Sequence, residues 1–312
     1  MKTKAVMALA ALASVGLSAC SPSTQMVKSN TPHYPPRGTA DDTAYLQNPA
    51  AQNATYYGAQ NVSNSGMPDL SPAELQIIGD QIFKNEGGGN INNLVHWNDG
   101  EDFASMGIGH FTWYPAGRSA RFGNTFPDLL NYMQAKGVQL PAWLAQAKNA
   151  GAPWHSKAEL MQAKNTPQVQ ALQQFLYQTR LLQTQYIVDR TRRAMPKLVD
   201  TMPVSLRPHV GNNLNAVANT PGGWYALIDY TNFKGEGLNR NGGYRGQNWG
   251  LLQVLEEMRP TQPGQPALHE FANAAMRVLE RRVQNSPPAN NEARWLAGWS
   301  NRVNTYRRIL PA

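Results

Sequence analysis

A helical repeat of apolar residues begins just after residue 70. Leu75, Ile78 and Ile82 recur three or four residues apart, the spacing that places side chains on one face of an α-helix. Ser71 can cap the first turn, and Glu74 stands three residues later, where its side chain can complete a capping box. We therefore predict an amphipathic helix that begins beside Ser71 and buries its apolar face.

Glu86 interrupts this apolar face near the predicted end of the helix. At about 100° per residue, Glu86 falls roughly 20° from Leu75 and therefore on the buried side. Three glycines, Gly87-Gly88-Gly89, follow at once and are typical of a helix C-terminus. Partial burial and the negative end of the helix dipole both raise the pKa of a carboxyl group. The sequence thus predicts a buried Glu86 that is protonated near neutral pH.

The residues after the glycines have the pattern of β-structure. A first run, 94–97, and a return run, 103–111, flank the turn Asn98-Asp99-Gly100. Elsewhere the apolar spacing is helical, and strand signals are confined to residues 94–115. Helices are predicted at residues 126–136, 142–149, 166–199 (one helix or two), 268–284 and 291–310. The predicted fold class is α+β and mostly α, with a small β-hairpin lobe on a helical body.

The order of helix, glutamate and polar hairpin resembles the lysozyme superfamily, and most closely the bacteriophage-type lysozymes. Their pattern is Glu, eight residues, Asp or Cys, five residues, Thr, and then a Gly-Ile-Gly-His or Gly-Tyr-Gly-His run. Here Glu86, Asp99, Ser105 and the Gly-Ile-Gly-His run at 107–110 follow in that order. Twelve residues rather than eight separate Glu86 from Asp99, and Ser105 replaces the threonine. The resemblance implies a lysozyme-like fold for the helical body and the hairpin lobe.

A second stretch resembles the same superfamily more loosely. Residues 226–237 are similar to a helix and bend of phage lysozymes, while Glu236 with Gln253 looks like the Glu…Gly-Leu-Met-Gln pattern of lytic transglycosylases. Two glutamates therefore compete for the role of general acid. Glu86 is preferred, because Glu236 lies beside Lys234 and among glycines that predict an exposed loop.

The resemblance implies cleavage of the β-1,4 bond between N-acetylmuramic acid and N-acetylglucosamine. Glu86 would protonate the glycosidic oxygen, while Asp99 with Ser105 would position a water molecule on the opposite face of the sugar. Glu101 is a second choice for the role of Asp99. If no second carboxylate reaches the bond, the muramyl 6-hydroxyl can attack instead, with Glu86 as acid and then base. That reaction is the lytic transglycosylase reaction.

A further set of side chains is predicted to contact the glycan. Aromatic rings stack on sugars and polar groups bind acetamido groups, although most aromatic side chains are buried in protein cores. The candidates for substrate contacts are His110, Trp113, Tyr114, Asn232, Glu236, Tyr244, Trp249 and Gln253. We expect one or two of the four Trp and Tyr candidates to touch substrate and the others to pack.

The first twenty residues predict where in the cell the protein is located. Lys2 and Lys4 precede an apolar run, and Leu17-Ser18-Ala19-Cys20 resembles a bacterial lipobox. Residues 1–19 are therefore predicted to be a lipoprotein signal peptide, and Cys20, the single cysteine of the chain, to be the lipidation site. The residue after the cysteine is a serine rather than an aspartate. The resemblance to sorted lipoproteins therefore implies a place at the outer membrane, facing the periplasm.

The mature chain would begin with a polar tether. Residues 20–69 are rich in Ser, Thr, Asn, Gln, Pro and Gly and lack apolar periodicity, which predicts a flexible segment. Residues 70–312 remain for the lysozyme-like domain with a helical C-terminal extension.

The charge of the mature chain favours an anionic partner. The full chain has 28 Lys and Arg and 20 Asp and Glu, and loss of two lysines with residues 1–19 leaves 26 − 20 = +6. Peptidoglycan is the anionic polymer that a periplasmic lipoprotein would meet, whereas nucleic acid is a poor fit without a recognisable reading motif. No cofactor or metal is expected, because the His and carboxylate spacing between residues 86 and 110 matches no zinc or calcium motif.

The leading hypothesis is an outer-membrane-anchored peptidoglycan glycosidase, either a hydrolase or a lytic transglycosylase. The alternative is a non-catalytic lipoprotein that uses a lysozyme-like groove to bind peptidoglycan or to scaffold other envelope proteins. The longer gap between Glu86 and Asp99, together with the serine at position 105, keeps this alternative open.

Overall fold

The helix predicted beside Ser71 forms as α1 (Pro72–Gly87). In the computed structural model, which describes residues 69–120 and 123–308, Ser71 and Glu74 make both hydrogen bonds of the capping box. Glu74 N donates to Ser71 Oγ at 3.2 Å, and Ser71 N donates to Glu74 Oε2 at 2.7 Å. The predicted apolar face is buried, and Gly88 ends the helix with a φ of 64°, which glycine adopts without strain.

Three short strands form one antiparallel sheet in the order β1 (Val95–His96), β2 (Ala104–Met106) and β3 (Phe111–Trp113). A 3₁₀ helix (Ile91–Leu94) connects α1 to β1. The predicted return run is therefore two strands rather than one, because a tight turn over residues 107–110 divides it. Gly107 makes the turn possible, since its φ of 68° lies in the left-handed region.

Ten further α-helices form most of the described chain. They are α2 (Thr125–Ala135), α3 (Ala142–Ala150), α4 (Lys157–Ala163), α5 (Pro167–Gln178), α6 (Arg180–Asp200), α7 (Arg207–Ala218), α8 (Gly223–Lys234), α9 (Leu251–Glu257), α10 (Gln265–Asn285) and α11 (Leu296–Asn304). Short 3₁₀ helices at Pro288–Asn290, Glu292–Trp295 and Thr305–Arg307 lie around α11.

The mostly helical architecture with a small sheet is confirmed, and most predicted helices appear with small shifts at their ends. The predicted helix 166–199 is two helices, α5 and α6, while 291–310 is a shorter α11 with 3₁₀ helices before and after it. Three helices, α4, α7 and α9, were not predicted. Two of them have only seven residues, and α7 is rich in asparagine, a poor helix former.

Close packing of helices positions the end of α1. α1 lies along α6, and at Gly79 a Cβ atom would lie 2.1 Å from Thr184 Oγ1, so only glycine permits this approach. α8 packs against α6, α7 and α9, and every one of its residues is buried. The C-terminal end of α1 is therefore held against the centre of the helical body rather than against solvent.

The predicted signal peptide (1–19), the lipidation site Cys20 and nearly all of the tether (20–69) lie outside the described residues. Within residues 69–120 and 123–308, no helix combines the length and the apolar character needed to cross a membrane.

Candidate functional site

Glu86 is almost completely buried at the C-terminal end of α1, as predicted. Its exposed fraction is 4%. Gly88 and Gly89 both have positive φ, 64° and 71°, so the chain leaves the helix directly after the carboxylate. A Cβ on Gly87 would lie 3.2 Å from the ring of Phe83. The glycine run thus ends the helix and keeps it tightly packed beside Glu86.

Two nitrogen donors from the C-terminal half of the chain bind one oxygen of Glu86. Arg302 Nη2 on α11 donates to Glu86 Oε1 at 2.9 Å, and Asn232 Nδ2 on α8 donates to the same oxygen at 3.1 Å. The Arg302 side chain has no exposed surface, so the ion pair is shielded from water. A cationic donor at this distance favours the ionised carboxylate. The structure therefore does not support a Glu86 that is kept protonated by burial alone.

The same guanidinium binds a second buried carboxylate. Arg302 Nε donates to Asp229 Oδ2 and Nη2 donates to Asp229 Oδ1, both at 2.8 Å. The Tyr306 hydroxyl donates to Oδ2 at 2.6 Å, and Asn85 Nδ2 donates to Oδ1 at 3.3 Å. Burial and the adjacent Asp229 carboxylate raise the pKa of Tyr306 well above its usual value, so its hydroxyl keeps its proton. One arginine thus forms ion pairs with two buried carboxylates.

The β2–β3 turn brings His110 to the other oxygen of Glu86. His110 Nδ1 lies 3.5 Å from Glu86 Oε2. The φ of His110 is 49°, an uncommon value for a non-glycine residue and one that is found at functional sites. Helix α6 supports the turn, since Gln183 Oε1 accepts a hydrogen bond from Ile108 N at 2.8 Å. The last residue of the Gly-Ile-Gly-His run therefore lies beside Glu86 in the structure.

A second buried ion pair lies between α10 and the 3₁₀ helix before α11. Arg282 Nε donates to Glu292 Oε2 at 2.7 Å, and Arg282 Nη2 donates to Glu292 Oε1 at 2.9 Å. The Tyr244 hydroxyl donates to Glu292 Oε1 at 2.8 Å, and the guanidinium lies 3.9 Å from the centre of the Trp249 ring. Although burial opposes it, the Arg282 guanidinium keeps the pKa of Glu292 below its usual value.

Lys234, the last residue of α8, places its amine between these two ion pairs. Its Nζ lies 4.1 Å from the ring centres of Phe233 and of Trp299, and the residue is 6% exposed. Burial, followed by the positive charges of Arg282 and Arg302, lowers the pKa of Lys234 well below its usual value.

The two other predicted catalytic residues lie in different surroundings. Asp99 occupies an exposed turn, its side chain is 77% exposed, and its Oδ1 lies 2.7 Å from Lys157 Nζ. Ser105 is buried in the middle of β2, where it is paired with His96 on β1 and with Thr112 on β3. Since Asp99 faces solvent while Glu86 is buried, the structure gives no support to a water molecule held between these two carboxylates.

Most of the predicted sugar-stacking residues belong to the core. Trp113, Tyr114 and Trp249 are buried, so they present no open ring face to a ligand. Trp113 packs on Phe126 with a ring-centre distance of 5.0 Å. Tyr244 is partly exposed, but its hydroxyl is engaged with the buried ion pair. These three rings are therefore core residues rather than substrate contacts, and Tyr244 is the partly exposed ring of the four candidates.

Glu236 and Gln253 shape the loop that follows α8. Gln253 Oε1 accepts from Gly250 N at 2.9 Å, and its Nε2 donates to Gly237 O at 3.0 Å, so both ends of this amide are bonded within the protein. The prediction that Glu236 lies in an exposed loop is wrong. Glu236 is buried, because these bonds hold the loop against α9, and its Oε1 lies 3.8 Å from Arg190 Nη2.

A surface groove of about 910 Å³ begins at Gly89, three residues after Glu86. Its walls come from the 3₁₀ helix before β1 and from α5, and none of its lining residues is ionisable. Amide side chains predominate in the lining: Asn90, Asn92, Gln170, Gln173 and Gln174. Amides offer both donors and acceptors, which suit the hydroxyl and acetamido groups of sugars.

The central residues of this site other than Glu86, His110 and Asn232 were not predicted. Arg302 is 216 positions from Glu86, and no local pattern connects the two. A signal existed for Asp229 and Lys234, because they are the two ionisable acid and base side chains in the mostly apolar and aromatic segment that forms α8.

Within the described ranges, no three His, Cys, Asp or Glu side chains are grouped so that they could bind a metal ion. Comparisons of the chain with protein-family models, with curated proteins and with solved structures found no match. The geometry around Glu86 is therefore the basis on which a function is proposed below.

Proposed function

We propose that this protein is a peptidoglycan glycosidase in which Glu86 gives the proton to the glycosidic oxygen. The observation that supports it is the convergence of three separate elements on one buried carboxylate, through Arg302, Asn232 and His110. Buried ion pairs are often no more stabilising than apolar packing, so stability alone does not account for this arrangement. A glutamate at a helix end beside a small sheet is also what the resemblance to the lysozyme superfamily implies.

The contacts of Glu86 assign different tasks to its two oxygens. Oε1 accepts hydrogen bonds from Arg302 and Asn232, so Oε2, on the side of His110, is suited to hold the transferred proton. As the bond from the sugar C1 to the leaving oxygen breaks, that oxygen takes the proton from Oε2 and positive charge develops on the ring. The carboxylate that remains stabilises this charge.

The exposed position of Asp99 supports the route that uses a single carboxylate. In that route the muramyl 6-hydroxyl attacks C1 and returns its proton to Glu86, which yields an anhydro sugar and restores the acid. If a water molecule attacks instead, the same proton transfers yield a reducing end. The two products differ by the mass of one water molecule, so the released fragments distinguish the reactions.

The proposed substrate follows from charge and from the groove. The amide-lined groove suits an uncharged sugar backbone, and the basic mature chain suits the carboxylates of peptidoglycan stem peptides. A lipid on Cys20 would keep the enzyme at the outer membrane, facing the periplasm and its peptidoglycan.

A second candidate function is a non-catalytic protein that binds peptidoglycan or scaffolds other envelope proteins. The observation that favours it is the low exposure of Glu86, whose carboxylate is occupied by an arginine and an amide of the same chain. In this case the buried ion pairs around Glu86 would have only a structural role, and the groove alone would bind the glycan.

The test is digestion of purified peptidoglycan by the full chain, by Glu86→Gln and by Glu280→Gln. Glutamine keeps an acceptor for Arg302 and Asn232 but has no acidic proton, while Glu280 is exposed on α10 and provides the matched control. We expect the wild type and the control to release the same muropeptides, identified by mass. Loss of a general acid should slow Glu86→Gln by about 100-fold or more.

Thermal unfolding of each protein shows whether the variants are folded. A folded Glu86→Gln that digests as fast as Glu280→Gln would refute catalysis by Glu86. Intact glycan after incubation with the wild type, together with binding of wild type and variant to the sacculus, would favour the scaffold instead.

A further inference from the structure

The two ion pairs and the Lys234 amine form one buried group, here named the charge cluster. Its members are Glu86, Asp229, Lys234, Arg282, Glu292 and Arg302, all buried. Aromatic rings join its parts: the Phe233 ring lies 4.2 Å from the Arg302 guanidinium and 4.1 Å from Lys234 Nζ. The Trp299 ring lies 4.1 Å from the same amine and 5.3 Å from Arg282.

Four members of the charge cluster have fixed charges. Arg302 makes two bonds to Asp229 at 2.8 Å, and Arg282 makes two bonds to Glu292 at 2.7 and 2.9 Å. Two guanidinium and two carboxylate groups balance one another, because such bidentate pairs favour the charged forms. The net charge of the cluster therefore depends on the two remaining members, the Glu86 carboxyl and the Lys234 amine.

The three tyrosines around Lys234 and Glu86 do not change this balance. Burial, with the neighbouring carboxylates, raises the pKa of Tyr225, Tyr244 and Tyr306, so these hydroxyls stay neutral. His110 faces Glu86 from the β2–β3 turn and retains a side-chain exposure of 13%, so water reaches it more readily than the cluster. A net charge inside a buried cluster is costly, and neutrality requires Glu86 and Lys234 to be both charged or both uncharged.

We propose that Glu86 and Lys234 hold one proton between them, and that Lys234 is the positioning residue that sets the charge of Glu86. This inference rests on the proposed function. With the proton on the carboxyl, Glu86 is the acid and Lys234 a neutral amine; with the proton on the amine, Glu86 is a carboxylate and Lys234 an ammonium. Both forms leave the charge cluster neutral.

This coupling suits a carboxyl group that acts first as acid and then as base. When Glu86 gives its proton to the glycosidic oxygen, the charge cluster loses that proton and holds a carboxylate and a neutral amine, while the positive charge that develops on the sugar offsets the carboxylate. The proton of the attacking hydroxyl group or water then returns to Glu86 and restores the neutral cluster. Lys234 acts through Glu86 and needs no contact with the sugar.

The first test measures protonation without activity. The full chain is labelled at the lysine side chains, and the Lys234 signal is assigned as the one that Lys234→Met loses in NMR spectra. We expect it to titrate at lower pH than the other lysines, and to move at least one pH unit further down in Glu86→Gln. Glu280→Gln should leave it in place. Titration of Lys234 with the other lysines, or at an unchanged pH in Glu86→Gln, would overturn the proposal even if the glycosidase activity is confirmed.

The second test uses stability and the pH profile. Lys234→Met leaves the charge cluster neutral only while Glu86 keeps its proton, and Glu86→Gln only while Lys234 stays an uncharged amine, whereas the double variant is neutral at every pH. At a pH where the remaining group of a single variant would be charged in the unfolded chain, the denaturation midpoint of the double variant should therefore lie closer to wild type than that of either single variant. In Lys234→Met the alkaline limb of the cleavage profile should move up by at least one pH unit, because Glu86 then holds its proton more firmly. If the stability losses of the two single variants simply add in the double variant, Lys234 has only a structural role. The same conclusion follows if Lys234→Met cleaves more slowly but the alkaline limb of its pH profile does not move.

Discussion

Replacing Arg302 with methionine tests whether one guanidinium stabilises both buried carboxylates, Glu86 and Asp229. Methionine keeps much of the side-chain volume but removes every donor. Glu86 would retain the Asn232 amide and the nearby His110, and Asp229 would retain Tyr306 and Asn85, yet both would lose the guanidinium that is bonded to them. The variant therefore changes the charge balance more than the packing.

The expected loss is large because the side chain of Arg302 has no exposed surface. Removing one partner of a buried ion pair costs about 3–5 kcal/mol, since the other charge remains buried without compensation. Here two carboxylates lose the same partner, so we expect at least about 3–5 kcal/mol at pH 7. A domain of ordinary stability, about 5–15 kcal/mol, would lose a substantial part of it.

The loss of unfolding free energy in Arg302→Met should be smaller at lower pH. Without the guanidinium, the buried carboxylates bind protons more readily than they do in the unfolded chain. The free-energy difference between wild type and Arg302→Met should therefore shrink as the pH falls from 7 towards 5, where protonation removes the unpaired charges.

Urea denaturation at 25 °C, at pH 7 and at pH 5, measures both quantities. Arg281→Met is the matched control, because Arg281 is 37% exposed and pairs with Glu257 at 2.8 Å in contact with solvent. Such a pair contributes about 0–1 kcal/mol. If Arg302→Met costs no more than Arg281→Met, or costs more at pH 5 than at pH 7, the account of two carboxylates served by one arginine is refuted.

Two further predictions concern the β-sheet lobe. Gly107→Ala should lower the unfolding free energy by more than about 1 kcal/mol, because the residue has a φ of 68° and the added Cβ would lie 2.2 Å from Gln183 Oε1. Burial, and then the charges of His110, Lys164 and Lys157, lower the pKa of His96 to about 4. The unfolded chain therefore binds this proton first, and stability should fall by up to about 3 kcal/mol between pH 6.5 and pH 4, a slope that His96→Gln reduces.

Matched measurements decide these two predictions. Gly298→Ala on α11 is the control for the turn, since its Cβ would meet no atom within 4 Å and alanine favours a helix. A Gly107→Ala protein as stable as Gly298→Ala would contradict the steric argument. For His96, urea midpoints across the pH range should give a flatter curve for the variant; parallel curves would mean that another group titrates.

The substrate residues show where local patterns mislead. Trp113 and Tyr114 follow the hairpin and have the composition of a sugar-binding surface, but their rings pack inside the core. Composition does not say which side of a strand or loop faces the interior, because that depends on which helices cover it. Glu236 shows the reverse case, since glycines predicted an exposed loop that α9 in fact buries.

The sequence by itself determined α1, its caps and the burial of Glu86. These features follow from interactions between residues at most four positions apart, such as Ser71 with Glu74, and from the 3.6-residue period of the helix. It did not determine the turn at residues 107–110 that carries His110, because residues 103–111 were predicted as a single return run.

Only the tertiary structure decided what surrounds the carboxylate. Arg302, Asp229 and Lys234 reach Glu86 or its neighbours from α8 and α11, across more than 140 positions of sequence. No local rule pairs such distant residues, because their meeting depends on how the helices pack and on the steric fit at places such as Gly79. The charge of Glu86, and with it the chemistry proposed here, is therefore set by long-range packing rather than by the helix on which it lies.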